Sequence, residues 1–329
     1  MNKPKIIVLL DITISDTNSG NIIIMEAIEK HLRSMFPSDF FIKVPCSDRI
    51  GIVSKNILKK ADLVFLCGAN TLCSHLPLVK PWRITIFDAI NIRNKVITVG
   101  VGWLRYKRLS EKWMFVDPYT KLIYKLAFSK TFYHSVRDKY AENKLRHLGF
   151  KVINTGCPSL WSIDRTHCLS IPQEKGKEVV FTLTYYRPDV VADRKLLSIL
   201  RRCYTKIYFW PQQPQDISYF LKVVENNFED IEIISPHLEV FDRFLNSNSE
   251  LDYVGTRLHA YIRAVQHGKR AINIVVDDRG KEMGEDFNLT IVHRGEWEKL
   301  EQLIEYPFET KITVPQERIY LWKKQFIEN

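Results

Sequence analysis

The sequence predicts an α/β protein made of doubly wound parallel sheets in two domains. Three observations predict it. Short apolar runs such as I-I-V-L-L at residues 6–10 and A-I-N-I-V-V at 271–276 show little polar alternation, the mark of strands buried on both faces. Amphipathic helix patterns separate these runs, so parallel strands must be joined by helical crossovers. The chain has 329 residues, more than one core ordinarily fills.

The first domain is expected over residues 1–161. Residues 6–10 form a strand, and 20–36 a helix with Ile23, Ala27, Ile28 and Leu32 on one side. Strand 40–44, helix 52–61 and strand 63–66 follow, the last running into Cys67-Gly68-Ala69-Asn70. A fourth strand covers 96–101 and ends in the glycines of V-G-V-G. Beyond an aromatic loop come helix 118–128, strand 132–136, helix 138–148 closed by Gly149, and strand 152–154. Polar residues 162–178 read as a linker. In the second domain, 179–310, strands are expected at 179–183, 207–210, 231–234, 253–254 and 272–276. Helices are expected near 193–202, 217–226, 238–246 and 257–267. Ile319, Trp322 and Phe326 recur at i, i+3 and i+7, so 311–329 should hold an amphipathic helix packed back on the first domain.

Lys and Arg number 48 against 38 Asp and Glu, a net charge of +10 that suits an anionic partner. That partner is a phosphorylated small molecule, an acidic glycan or an anionic membrane surface. Nucleic acid is disfavoured, because there is no RNA-recognition aromatic signature, zinc-finger spacing or single arginine-rich helix. The six cysteines form no C-x-x-C pair and read as reduced thiols of a cytoplasmic protein. Lys3 and Lys5 precede only five apolar residues before Asp11, which fits a buried strand better than a signal peptide. No run approaches the roughly 20 apolar residues of a spanning helix, so membrane contact is expected only peripherally, at the inner face. H-E-x-x-H is absent and His237 with Glu239 is isolated, so no metal is expected. A phosphate-loop signature is absent as well, and no G-x-G-x-x-G opens a helix.

The richest stretch runs from Asp252 to Asp278 and reads as strand, turn, helix, strand. Gly255 permits the turn, Thr256 is placed to cap the helix, and Leu258, Ile262 and Val265 face the core. Arg257 and His259 flank Leu258 in the first turn, beside backbone N–H groups and the positive end of the helix dipole. A phosphate or carboxylate binds well at such a place. Ligands of open parallel sheets lie outside the carboxyl ends of the strands. That rule also selects Asn18 to Asn21, residues 67–70, 99–102, Arg137-Asp138 and Thr155 to Pro158.

V-G-T-R-L-H-A with the following D-D-R-G-K, N-S-G-N near the start, H-S-V-R-D and N-T-G-C-P-S-L together resemble the polysaccharide pyruvyltransferase family. The segments occur in the family's order over nearly the whole chain, and R-L-H is the most specific. The resemblance implies two facing Rossmann-like domains, similar to the GT-B glycosyltransferase fold, with the site between them. It implies transfer of a pyruvyl group from phosphoenolpyruvate to a sugar, commonly as a ketal on two hydroxyls, in synthesis of cell-surface polysaccharide such as capsule or exopolysaccharide. Phosphoenolpyruvate is then a co-substrate, no cofactor is needed, and the partner is a saccharide acceptor, lipid-linked or free. The chain departs from the pattern at Asn21, where the family turn often has Asp, and at residues 67–70, where it often has G-G-G. Both departures fall on the expected acceptor side.

Transfer begins with protonation of the donor's methylene carbon, for which His259 is the candidate acid. Arg257 is expected to hold the donor phosphate or carboxylate through its planar fork, with Arg137, Arg279 and Lys281 as further anion contacts. Asn18, Gly20, Asn21 and Asn70 are expected on the acceptor. No base is evident, Asp138, Asp277 and Asp278 being available. Each has a bland alternative. His259 can be a packed helix-end histidine, Arg257 a solvated or salt-bridged arginine of the first turn, Arg137 a partner of Asp138 or Glu142, Arg279 and Lys281 parts of an exposed turn, and the asparagines turn formers. The aromatic residues Trp103, Tyr106, Trp113 and Phe115 can stack on sugars or simply pack. A nucleotide-sugar glycosyltransferase and a non-catalytic basic glycan-binding subunit are the competing functions.

Overall fold

The computed structural model describes residues 3–105, 115–225 and 227–327. The chain divides into two units. The first comprises Met1–Asp16, Ile24–Trp161 and Pro315–Asn329, and the second Thr17–Ile23 and Ser162–Val314.

In the first unit β1 (Ile6–Asp11), α1 (Ser19–Met35, its opening turn grouped with the second unit), β2 (Phe40–Pro45), α2 (Ile52–Lys60) and β3 (Leu63–Cys67) lead to β4 (Leu72–Cys73). Then come α3 (Leu76–Val79), α4 (Ile86–Asn91), β5 (Val96–Val99), β6 (Trp103–Leu104), α5 (Pro118–Ala127), β7 (His134–Val136), α6 (Lys139–His147) and β8 (Val152–Asn154). The main sheet is parallel in the order β2-β1-β3-β5, with Val8 opposite Ile42 and Val64. β7 and β8 pair in parallel, and a bridge between Val101 and Val136 continues the sheet direction. β3 is buried throughout and β1 from its second residue on, which is why neither alternates in polarity. The fourth strand stops at Val99 rather than 101. Gly100 turns the chain at φ +60°, and a Cβ there would lie 2.1 Å from Pro158 Cδ. α4 was not expected from periodicity; it is six residues long and fixed by a capping box between Thr85 and Asp88.

In the second unit α7 (Arg165–Ser170) occupies part of the stretch expected as a linker. The Asp164 carboxylate accepts the His167 N–H at 2.7 Å, and the His167 ring is bonded to the Val265 carbonyl at 2.7 Å, so these polar residues form a packed turn. Next come β9 (Glu178–Thr182), α8 (Val190–Cys203), β10 (Lys206–Phe209), α9 (Pro214–Val224), β11 (Ile231–Ile233), α10 (Leu238–Ser247), β12 (Leu251–Gly255) and α11 (Leu258–Gln266). The unit ends with β13 (Ala271–Val275), α12 (Asp278–Phe287), β14 (Ile291–His293) and α13 (Trp297–Glu305). The last three were not read from the sequence, since α12 offers few apolar residues besides Met283 and Phe287. All six strands are parallel in the order β11-β10-β9-β12-β13-β14. The direction of winding therefore reverses between β9 and β12. Phe181, Leu196, Leu200, Phe209, Phe220 and Val254 form part of its core.

α14 (Gln316–Lys324) belongs to the first unit. Trp322 is buried there, donates from Nε1 to the Tyr133 carbonyl at 2.9 Å and meets the rings of Phe65 and Trp161.

Candidate functional site

Where winding reverses, two strand ends lie side by side and the loops leaving them splay apart, which opens a crevice for ligands. In the second unit these are the ends of β9 and β12, with Gly255 in register with Thr182. A Cβ on Gly255 would meet Thr182 Oγ1 at 2.4 Å and the Thr182 backbone nitrogen at 2.8 Å, so only glycine allows this approach. Thr182, Tyr253 and Arg257 then close a ring of hydrogen bonds. The Arg257 N–H donates to Thr182 Oγ1 (3.2 Å), that hydroxyl meets the Tyr253 phenol (2.7 Å), and the phenol donates to the Arg257 carbonyl (2.9 Å). Thr256 does not cap α11. Its hydroxyl is bonded to Thr184 Oγ1 at 2.8 Å, and Arg257 takes the N-cap position without a side-chain cap. The leading N–H groups of α11 thus carry no side-chain acceptor from the N-cap, the arrangement that favours an anion.

Arg257, expected as an anion contact or else as a salt-bridged arginine, takes the second arrangement in the structure. It is only 2% exposed, and its guanidinium forms a bidentate pair with Asp216, Nε to Oδ2 at 3.1 Å and Nη2 to Oδ1. Nε also donates to the Leu183 carbonyl at 3.1 Å. The physical reason is that a cation beside the positive end of a helix is unfavourable until a carboxylate neutralises it. Asp216 is itself set by a capping box with Gln213 at the start of α9. Burial raises the Asp216 pKa, and the guanidinium opposes that shift.

The Tyr186 ring lies 4.9 Å from the Arg257 guanidinium carbon, a cation–π contact. Its hydroxyl accepts from Arg279 Nη2 at 2.8 Å, and Arg279 also pairs with Asp277 at 3.2 Å. Asp277 caps α12 by accepting the Gly280 N–H at 2.9 Å. Arg257 and Arg279 therefore meet through Tyr186, with Arg279 the more exposed of the two. His259 stands in the first turn of α11 and is 4% exposed. Lys281 does not join them; it is exposed on α12 and lies 3.9 Å from Glu285, one turn along the same helix.

Asn18, Gly20 and Asn21, expected in the first domain, group with the second unit because Gln212 and Pro236 hold their segment. Asn18 Oδ1 accepts from Gln212 Nε2 (2.8 Å) and from the Gly20 N–H (3.0 Å), and the Asn21 N–H donates to the Asn18 carbonyl (2.9 Å). Gln212 precedes Gln213, so this turn is linked through the start of α9 to Asp216 and Arg257.

In the first unit, Arg137 and Asn70 come together. Arg137 is buried, Nη2 donates to Asn70 Oδ1, and Nε lies 3.9 Å from Asp138 Oδ2. A Cβ on Gly102 would reach 2.5 Å from both Arg137 Nε and Asn70 Oδ1, which ties V-G-V-G to this pair. Glu142 pairs instead with Lys139 and Arg146. Asp138 caps α6. Trp103 is packing, with Nε1 donating to Ser74 Oγ at 3.2 Å. Tyr106, Arg108 and Trp113 lie outside the described residues.

Thr182, Thr184, Tyr186, Gln212 and Asp216 belong to these clusters although no motif singled them out. For Thr182, Thr184 and Tyr186 the signal is T-L-T-Y-Y, residues 182–186, running out of the end of strand 179–183, which the strand-end rule selects once the strand order is known.

A model of the polysaccharide pyruvyl transferase family matches residues 18–278, well over half of the chain. The chain belongs to the polysaccharide pyruvyl transferase family. No curated protein matches this pyruvyl transferase family member. Among solved structures, UDP-GlcNAc 2-epimerase from Neisseria meningitidis bound to UDP-GlcNAc aligns over 99% of this chain and 100% of its own, at 12% identity and a TM-score of 0.51. Another UDP-N-acetylglucosamine 2-epimerase aligns over 98% and 91%, at 11% identity and a TM-score of 0.50. UGT89C1 from Arabidopsis thaliana, complexed with UDP-L-rhamnose, aligns over 99% and 95%, at 11% identity and a TM-score of 0.47. The two epimerase likenesses concern the fold alone, two Rossmann-like units of the GT-B type.

Proposed function

We propose that this chain transfers the pyruvyl group of phosphoenolpyruvate to a pair of sugar hydroxyls during synthesis of a cell-surface polysaccharide. The observation that carries this reading is the family match over residues 18–278, a range that includes R-L-H; the strand order of the second unit, with R-L-H following β12 at its switch point, supports it. In the proposed reaction His259 gives a proton to the methylene carbon of the donor, and the neighbouring carbon becomes cationic. One sugar hydroxyl adds there; a second hydroxyl then displaces phosphate, closing the ketal and releasing the two hydroxyl protons to base or solvent. The donor's anionic groups would lie at the opening N–H groups of α11 with Arg279 nearby. Arg257, already neutralised by Asp216, would position Tyr186 and the helix mouth. Arg137 is the proposed donor contact of the first unit, and Asn18, Gly20, Asn21 and Asn70 are proposed acceptor contacts. No separate cofactor is required by this chemistry.

The test pairs calorimetry with phosphoenolpyruvate against a panel of nucleotide sugars, and follows phosphate released from phosphoenolpyruvate with saccharide and lipid-linked saccharide acceptors. Phosphoenolpyruvate should bind, and acceptor-dependent phosphate release should follow. Binding of a nucleotide sugar with none of phosphoenolpyruvate would replace this reading by glycosyl transfer. Glycan binding without phosphate release under any acceptor would leave a non-catalytic glycan-binding subunit.

A further inference from the structure

α2, α4 and α5 lie side by side in the first unit, α2 packed on α4 and α4 on α5, with Lys55 bridged to Asp88 at 3.1 Å. Each buries one side, yet large apolar residues remain on the other. Ile52 and Val53 are 81% and 73% exposed on α2, Phe87 and Ile90 are 73% and 52% exposed on α4, and Tyr119 and Leu122 are exposed on α5. Single exposed apolar residues are ordinary; three neighbouring helices that each present two are not. α2 and α5 also carry exposed Lys59, Lys60, Lys121 and Lys125, and exposed Arg93 follows α4. The acid carried by these three helices is Asp88, which is buried and paired.

We propose that this face docks on the surface of an anionic phospholipid bilayer, with the apolar side chains entering the headgroup boundary and the basic ones meeting lipid phosphates. Two features of this face select this occupant. Apolar residues interleaved with cations match a surface that is apolar beneath and negative above. A second copy of the same face would set lysines against lysines, an arrangement that like-charge repulsion disfavours. Attachment through side chains that enter only the headgroup boundary is reversible and lies in the interface plane. The inference stands on exposure and charge within one unit and does not depend on the pyruvyl-transfer reading.

The experiment is flotation of the full chain with vesicles of phosphatidylglycerol in phosphatidylcholine and with vesicles of phosphatidylcholine alone. The chain should float with the anionic vesicles, remain behind with the neutral ones, and be released by high salt. Phe87→Ser with Ile90→Ser, and separately Lys59→Glu with Lys60→Glu, should each lower the bound fraction by about tenfold or more. All four positions are exposed, and unchanged melting curves would show that the variants fold. Equal or absent binding to the two vesicle types, or binding that survives both variants, would overturn the proposal. So would a dimer in solution that Phe87→Ser with Ile90→Ser dissociates, since the face would then pair with itself.

Discussion

Arg257 and Asp216 form a bidentate ion pair that is buried at the ends of the central strands of the second unit. The pair brings the start of α9 to the start of α11, so the helix that carries His259 is fixed by a contact 41 residues away in sequence. Its geometry implies that each partner is far costlier to remove alone than together with the other.

Asp216→Ala should therefore lose about 3–5 kcal/mol of stability, because an unpaired guanidinium would stay buried. The double variant Asp216→Leu with Arg257→Met should recover much of that loss. Urea unfolding of wild type, single and double variants checks the coupling, and simple additivity of the single changes would count against it.

His259→Gln roughly keeps the size of the side chain and removes the proposed acid. Turnover of phosphoenolpyruvate should fall by roughly 10²–10⁴-fold with donor affinity nearly unchanged. Single-turnover phosphate release beside calorimetry separates the two quantities, and undiminished transfer would remove His259 as the acid.

Gly255→Ala places a methyl group against the backbone nitrogen of Thr182, which cannot swing aside. About 1–3 kcal/mol should be lost, together with activity, since the strand ends must part. Chemical denaturation read beside turnover checks both effects.

Tyr186→Phe keeps the ring over Arg257 and deletes the hydroxyl that accepts from Arg279. Stability should change by about 1 kcal/mol or less, while the KM for the donor rises and kcat changes little. A fall in kcat alone would assign the hydroxyl a different role.

His134 is buried with Nδ1 accepting the Thr98 N–H at 3.3 Å, so Nε2 carries the proton and donates to the Ser129 carbonyl at 2.9 Å. Burial lowers its pKa to about 4, below the roughly 6.5 of an unfolded histidine. The unfolded chain then binds a proton that the folded ring refuses. Stability is full above about pH 6.5 and falls by about 3 kcal/mol as the pH drops towards 4. Unfolding free energies measured across this range should show a shallower slope in His134→Gln. Some slope should remain, because burial also lowers His31 to about 4.

Local pattern was a good guide where burial is symmetric. β3 is an unbroken apolar run, and β1 and β13 depart from one only at Asp11 and Asn273, because these strands are buried along nearly their whole length; α11 shows its core stripe of Leu258, Ile262 and Val265. It failed where a short polar segment is held by contacts distant in sequence. α7, held through His167 to Val265, reads as a linker, and the segment of Asn18 reads as part of the first domain until Gln212 is seen to hold it.

By itself the sequence determined the alternation of strands and helices, the glycine turn before R-L-H and the family that those residues mark. Periodicity and turn chemistry are local properties, so the chain displays them in order. Only the tertiary structure decided the charge state of the site. Arg257 reads as an anion contact or a salt-bridged arginine alike until Asp216 is folded against it, and nothing in the sequence marks Tyr186 until Arg257 and Arg279 meet on it. Electrostatic and hydrogen-bonding partners are chosen by strand order, and the reversal between β9 and β12 is what brings these residues to one place.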